Sequence, residues 1–181
     1  SADSKMMQLL IRNLSLKYDI GIHPSFASNE FFKKIIIEKN RLSTIAKKQI
    51  TKSRQHFLML KFPDTYRNLI DAGITDDYSH GYADEIGFRA GTCSEFYFYD
   101  LQKEEETKLR IHPFAVMDST LNLYMKLSPE EAIKKTKEII SEIKSVHGTF
   151  ITVWHNETLS QWKEWTGWKK VYEEIVKNAV L

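Results

Sequence analysis

At 181 residues the chain is long enough to bury a substantial core, and its 42% hydrophobic, 12% aromatic and 28% charged residues exclude the disordered, collagen-like and coiled-coil classes. Twenty-six basic residues against 24 acidic ones leave a net charge of +2, too small for a nucleic-acid footprint, and the single cysteine, Cys93, excludes an internal disulfide. No apolar run approaches the roughly 18 residues of a membrane span.

Met6, Leu9, Leu10 and Leu14 fall at helical spacing and predict a helix over Ser4 to Lys17, which feeds a short strand over Tyr18 to His23. Ser28 is the expected N-cap of a second helix, running to Lys48 with Phe31, Phe32, Ile35, Ile36, Leu42 and Ile45 on its apolar stripe. Ser53 to Leu60 reads as a strand, Pro63 as the first turn of a helix that Gly73 stops, and Ile74 to Tyr78 as another strand. Gly81 to Glu95 is an irregular loop, Phe96 to Leu101 an aromatic strand, and Leu109 to Met117 a clear one. Ser128-Pro129-Glu130-Glu131 combines an N-cap, a proline at the first helical position and a capping box, so a helix starts there and keeps its period to His147, with Gly148 as left-handed cap. Thr149 to Trp154 is a buried-type strand, and Trp168 to Leu181 a final helix. This alternation predicts one α/β domain over residues 1–181, a parallel sheet with helices outside, closed into a barrel or open. No glycine-rich phosphate loop follows any strand, which excludes the common nucleotide folds.

In β/α barrels the chemistry sits at the carboxyl ends of the strands. Those positions hold His23, Arg54, His56, Asp76, Asp77, Tyr78, Arg89, Asp118, His155 and Asn156. Such a set can bind a metal, move protons and hold an oxyanion. Each has a structural alternative: His80, His112 and His147 read as packing histidines, Asp118 can cap the segment after it, and Arg54 and Arg89 can bridge loop carbonyls. Trp154, Trp162, Trp165 and Trp168 serve either the core or an aromatic sugar platform.

Taken together, Ile20-Gly-Ile-His-Pro-Ser-Phe26, Ser53-Arg-Gln-His-Phe57, Gly73-Ile-Thr-Asp-Asp-Tyr-Ser79, Gly87-Phe-Arg-Ala-Gly-Thr92, Pro113 to Leu121 and Phe150-Ile-Thr-Val-Trp-His-Asn156 resemble the polysaccharide deacetylase family, the NodB-like carbohydrate esterases, in a divergent branch of Bacteroidetes-type bacteria. The resemblance implies a distorted (β/α) barrel, a divalent metal, usually zinc, and hydrolysis of an N-acetyl group on a glycan. His23 resembles the first histidine of the family's metal motif, with His56 standing in for the second because Ala27 occupies the family position. His155 resembles the histidine acid and, with Asp118 and Arg89, is assigned to catalysis. Arg54, Asp77, Tyr78 and Trp154 are assigned to the substrate.

The family's strand ending in two aspartates, which supplies the base and a metal ligand, would lie upstream of His23, where this sequence offers Asp3 and Asp19. The expectation is therefore the C-terminal part of a deacetylase-like barrel, inactive by itself, which associates as a homodimer through the exposed barrel edge. A bacterial cytoplasmic or cell-envelope setting is implied. The competing expectation is a non-catalytic sugar-binding or scaffolding domain on the same fold.

Overall fold

The computed structural model describes residues 3–180. Its residues pack as two compact units, Ser1–Ser79 with Phe96–Ile111, and His80–Glu95 with His112–Leu181.

The first unit contains helices α1 (Lys5–Lys17), α2 (Phe32–Ala46) and α3 (Asp64–Asp71), and strands β1 (Lys52–Ser53), β2 (Asp76–Asp77), β3 (Phe96–Asp100) and β4 (Glu105–Ile111). They form a four-stranded sheet in the order β1-β2-β4-β3. The pairs β1–β2 and β2–β4 are parallel, in the register Ser53↔Asp77 and Asp77↔Ile111, whereas β3 is antiparallel to β4. The sheet is thus mixed, a correction to the all-parallel expectation. Leu109 and Ile111 alternate inward along β4 and pack with Ile22, Ile35, Ile50, Tyr66, Leu69 and Ile74.

Three expectations fail here for local reasons. The strand over Tyr18 to His23 shrinks to a parallel bridge from Ile22 to Ser53. The strand over Ser53 to Leu60 stops after two residues, because Phe57 and Leu58 adopt left-handed backbone (φ 53° and 54°) in a 3-10 turn over His56–Leu58. Ser28 caps no helix; its hydroxyl donates to the Ser25 carbonyl (2.6 Å) inside a 3-10 turn, and α2 begins at Phe32. In α1 the spacing is helical as expected, yet Met6 is 75% and Leu16 85% exposed. Polar bonds hold this helix instead: Arg12 Nε donates to the Ile45 carbonyl (3.0 Å) and Lys48 Nζ to the Ser15 carbonyl (2.6 Å).

The second unit contains strands β5 (Val116–Met117) and β6 (Thr152–Val153), a π-helical turn over Thr120–Tyr124, and helices α4 (Pro129–Ser145) and α5 (Trp168–Ala179). The expected strand from Leu109 to Met117 is broken: β4 ends at Ile111, and Pro113, which has no N–H for a ladder, precedes β5. Val116, Leu121, Ala132, Ile139, Ile140, Ile143, Trp165, Trp168, Val171 and Ile175 form one apolar cluster. Of the four tryptophans, Trp165 and Trp168 are core and Trp162 is exposed. The capping box at α4 is complete: the Glu131 N–H donates to Ser128 Oγ (3.3 Å), and the Ser128 N–H donates to Glu131 Oε2 (2.8 Å). At the other end His147, exposed rather than packed, takes the left-handed conformation (φ 54°) expected of Gly148. Gly148 is needed for space instead, since a Cβ there would lie 2.1 Å from Cys93 Sγ. Among the described residues no helix is long and apolar enough to cross a membrane.

Candidate functional site

β5 and β6 pair in parallel with Val116 opposite Thr152 and Met117 opposite Val153. The next residues therefore leave the two strands side by side, at their carboxyl ends. They are Asp118 and, one residue after Trp154, His155. Asp118 is fully buried. Its Oδ2 accepts the His155 backbone N–H (2.7 Å), and its Oδ1 meets His155 Nδ1 (2.8 Å) and accepts the Ser119 N–H (2.7 Å).

Burial pushes the Asp118 carboxyl up, but the side-chain and backbone hydrogen bonds of His155 outweigh it and hold the pKa below the ordinary carboxylate value. An ionised carboxylate accepts only, so His155 Nδ1 carries a proton toward Asp118. The imidazole side chain is 44% exposed. Thr158, fully buried, donates its hydroxyl to the His155 carbonyl (2.8 Å) and fixes the turn that follows. The bland alternative for Asp118, capping of the next segment, is met in part by its bond from Ser119; the imidazole contact goes beyond it.

Trp154 is half-buried, its Nε1 donating to Thr152 Oγ1 (3.1 Å) and its ring edge-on to Tyr172 at 5.2 Å. Arg89 donates to the Gly81 carbonyl (3.3 Å). Burial first, and the Arg89 cation second, depress the neighbouring His80 to about 4, so this imidazole is neutral at physiological pH. Gly81 carries no side chain for a steric reason: a Cβ would lie 2.4 Å from the Phe114 ring.

In the first unit the parallel alignment of Ile22, β1 and β2 again sets strand-end residues beside one another. The Arg54 N–H donates to the Ile22 carbonyl (3.0 Å) and the Tyr78 N–H to the Ser53 carbonyl (2.8 Å). His23 Nδ1 lies 2.8 Å from the Arg54 carbonyl, which can only accept, so Nδ1 carries a proton. The His56 ring sits 4.9 Å from that of His23, tilted by 39°. Arg54 donates Nε–H to the Tyr78 carbonyl (3.1 Å) and lies over the Tyr78 ring at 6.0 Å. Burial lowers its pKa, partly offset by Asp77.

Asp77 points into the fold. Its Oδ2 accepts from Ser53 Oγ (2.7 Å) and Ser79 Oγ (2.9 Å), its Oδ1 from the Ser79 N–H (2.9 Å), and burial raises its pKa despite these bonds. Sequence reasoning missed two features in this region, the buried amide of Gln55 and the Phe26–Phe57 ring pair; His56 itself is among its candidates. Gln55 is buried with neither amide atom hydrogen-bonded, and His56 Nδ1 is buried without a partner. Phe26 and Phe57 complete a wall of rings around His56. The signal for the ring wall is the His-Phe pair at 56–57, within the stretch whose composition predicts a strand.

Two imidazoles, His23 and His56, are thus neighbours, while among the described residues no group of three or more His, Cys, Asp or Glu is arranged to hold a metal. Compared with family models and with curated proteins, the sequence matches none.

Proposed function

We propose that this chain belongs to a polysaccharide deacetylase-like hydrolase, which removes N-acetyl groups from a glycan on a distorted (β/α) barrel frame. The observation that carries the reading is the Asp118–His155 pair: a buried carboxylate orients an exposed imidazole at the carboxyl end of a strand. In amide hydrolysis the leaving amine needs a proton as the C–N bond breaks. His155, protonated on both ring nitrogens, would deliver it from Nε2 and end as the neutral ring; before the transfer Asp118 stabilises the charge of the imidazolium, and general acid catalysis of this kind contributes about 10²- to 10⁴-fold.

His23 and His56 would hold the divalent cation, zinc by donor type. His23 suits the role because its Nδ1–H donates to a carbonyl, the orienting bond that metal-bound histidines commonly make. Such an ion supplies polarisation of the acetyl carbonyl and a water of lowered pKa. The remaining candidates for substrate contacts are Arg54 and Tyr78 in the first unit and Trp154 and Arg89 in the second. Asp77 is committed to Ser53 and Ser79, so another carboxylate would have to act as the base. Exposed apolar side chains on α1, Met6, Leu9 and Leu10 among them, support a homodimer; a strict monomer by light scattering at about 100 μM would count against that part.

The test is acetate release from chitotetraose by the full-length gene product supplied with zinc. His155→Gln is expected to lower it about 100-fold or more with folding intact. No release, or release indifferent to His155→Gln, would overturn the enzyme and favour a sugar-binding scaffold.

A further inference from the structure

His155 is held through its backbone as well as through its ring. Its N–H donates to Asp118 Oδ2 (2.7 Å), and its carbonyl accepts twice from Thr158, from the hydroxyl (2.8 Å) and from the backbone N–H (3.2 Å). Extended backbone at His155 (φ −93°, ψ 142°) gives way at once to the 3-10 turn over Asn156–Leu159, and the doubly bonded carbonyl sits at that junction. Hydroxyl-to-carbonyl bonds of the same three-residue spacing recur at Ser145 and Thr166, but on exposed residues, where water competes for them. Thr158 is fully buried.

The same hydroxyl acts on the other half of the pair. Burial raises the Asp118 carboxyl and the His155 bonds lower it, and Thr158 adds a smaller lowering of its own, so its hydroxyl reaches the carboxylate as well as the carbonyl. The imidazole needs such support because it is 44% exposed, and water competes with Asp118 for the Nδ1 proton. Holding an exposed ring in one rotamer costs side-chain entropy. With the backbone fixed on both sides of its α-carbon, only the ring's own torsions remain by which it can leave the carboxylate, the kind of locked support that a working side chain requires.

We propose that Thr158 is the positioning residue of the His155 acid: its buried hydroxyl fixes the peptide after His155 and so keeps the Nδ1–H on Asp118. The role in a reaction rests on the deacetylase reading above, whereas the effect on the Asp118–His155 bond does not.

The test follows the His155 Nδ1 proton by NMR in the full chain carrying isotope-labelled histidine, with His155→Gln to identify its resonance. Two comparisons isolate the hydroxyl: wild type against Thr158→Val, and Thr158→Ser against Thr158→Ala, the second of which decides if Thr158→Val fails to fold. In each, the form without the hydroxyl should exchange this proton with water about fivefold faster, the factor that one ordinary hydrogen bond supplies. Equal exchange overturns the proposal, even where urea unfolding shows a loss of stability, because the bond would then be structural only. So does a proton that follows side-chain size, as fast in Thr158→Ser as in Thr158→Ala, or one too fast to be seen in the wild type. In the full-length product with zinc, Thr158→Ala should release acetate from chitotetraose about fivefold more slowly than Thr158→Ser at unchanged KM. Faster exchange in Thr158→Ala with no acetate released by the wild type sinks the deacetylase and leaves the effect of Thr158 on the bond standing; equal release by the two variants of an active enzyme overturns the positioning role.

Discussion

Asp77 and Asp118 are both fully buried aspartates that follow or end a parallel strand, and their carboxyls shift in opposite directions. Asp77 takes its hydrogen bonds from two serine hydroxyls and one backbone N–H, and burial prevails. Asp118 faces an imidazole and two backbone N–H groups, and these prevail over burial. Depth alone therefore does not set the direction in which a carboxyl's pKa moves; the donors aimed at it decide. One aspartate ties its strand ends together, and the other arms a histidine.

The largest way to break this contrast is Asp118→Ala, which strands the His155 N–H and Nδ1–H and the Ser119 N–H beside a buried gap. A loss of about 2–4 kcal/mol is expected in urea unfolding. A loss under about 0.5 kcal/mol, within the usual range for inert surface changes, would show that the carboxylate organises nothing. Acidification comes next. His80, with a folded pKa of about 4 against an ordinary 6.5, takes up its proton more readily in the unfolded chain. Its share of stability is therefore fully present above pH 6.5 and fades as pH falls toward 4, and His80→Gln should flatten that limb of the stability–pH curve.

Asp118, with a lowered pKa, contributes stability above the ordinary carboxylate value that is lost at still lower pH, while the raised Asp77 works in the other sense and gains as it protonates. A smaller effect of opposite sign is expected at Gln55: replacing its unbonded buried amide by leucine should stabilise by about 1 kcal/mol, and destabilisation would reveal a partner for that amide. Asp77→Asn should cost least, about 1 kcal/mol or below, since an amide keeps the shape of the side chain and an acceptor oxygen for the serine donors.

Much of this architecture was legible beforehand where a local signal was strong. The helix at Ser128 was fixed by three agreeing cues, and the parallel strand ends at Asp118 and His155 by apolar runs that stop at polar residues. What failed was the interior of Ser53 to Leu60, where apolar composition says strand but Phe57 and Leu58 turn left-handed, a choice tertiary packing makes without marking the sequence. The inward turn of Asp77 was equally hidden, because Ser53 is 24 positions away and meets it through pairing of β1 with β2. At the end of α4 the glycine was noticed for its backbone freedom, whereas its service is to make room for a sulfur atom.

That last contact ties the lone thiol to the entry of β6. Cys93 is partly exposed, and Gly148→Ala would drive a methyl group into its Sγ, so either the sulfur or the segment that delivers His155 must shift. The rate at which a maleimide labels Cys93 would register that shift.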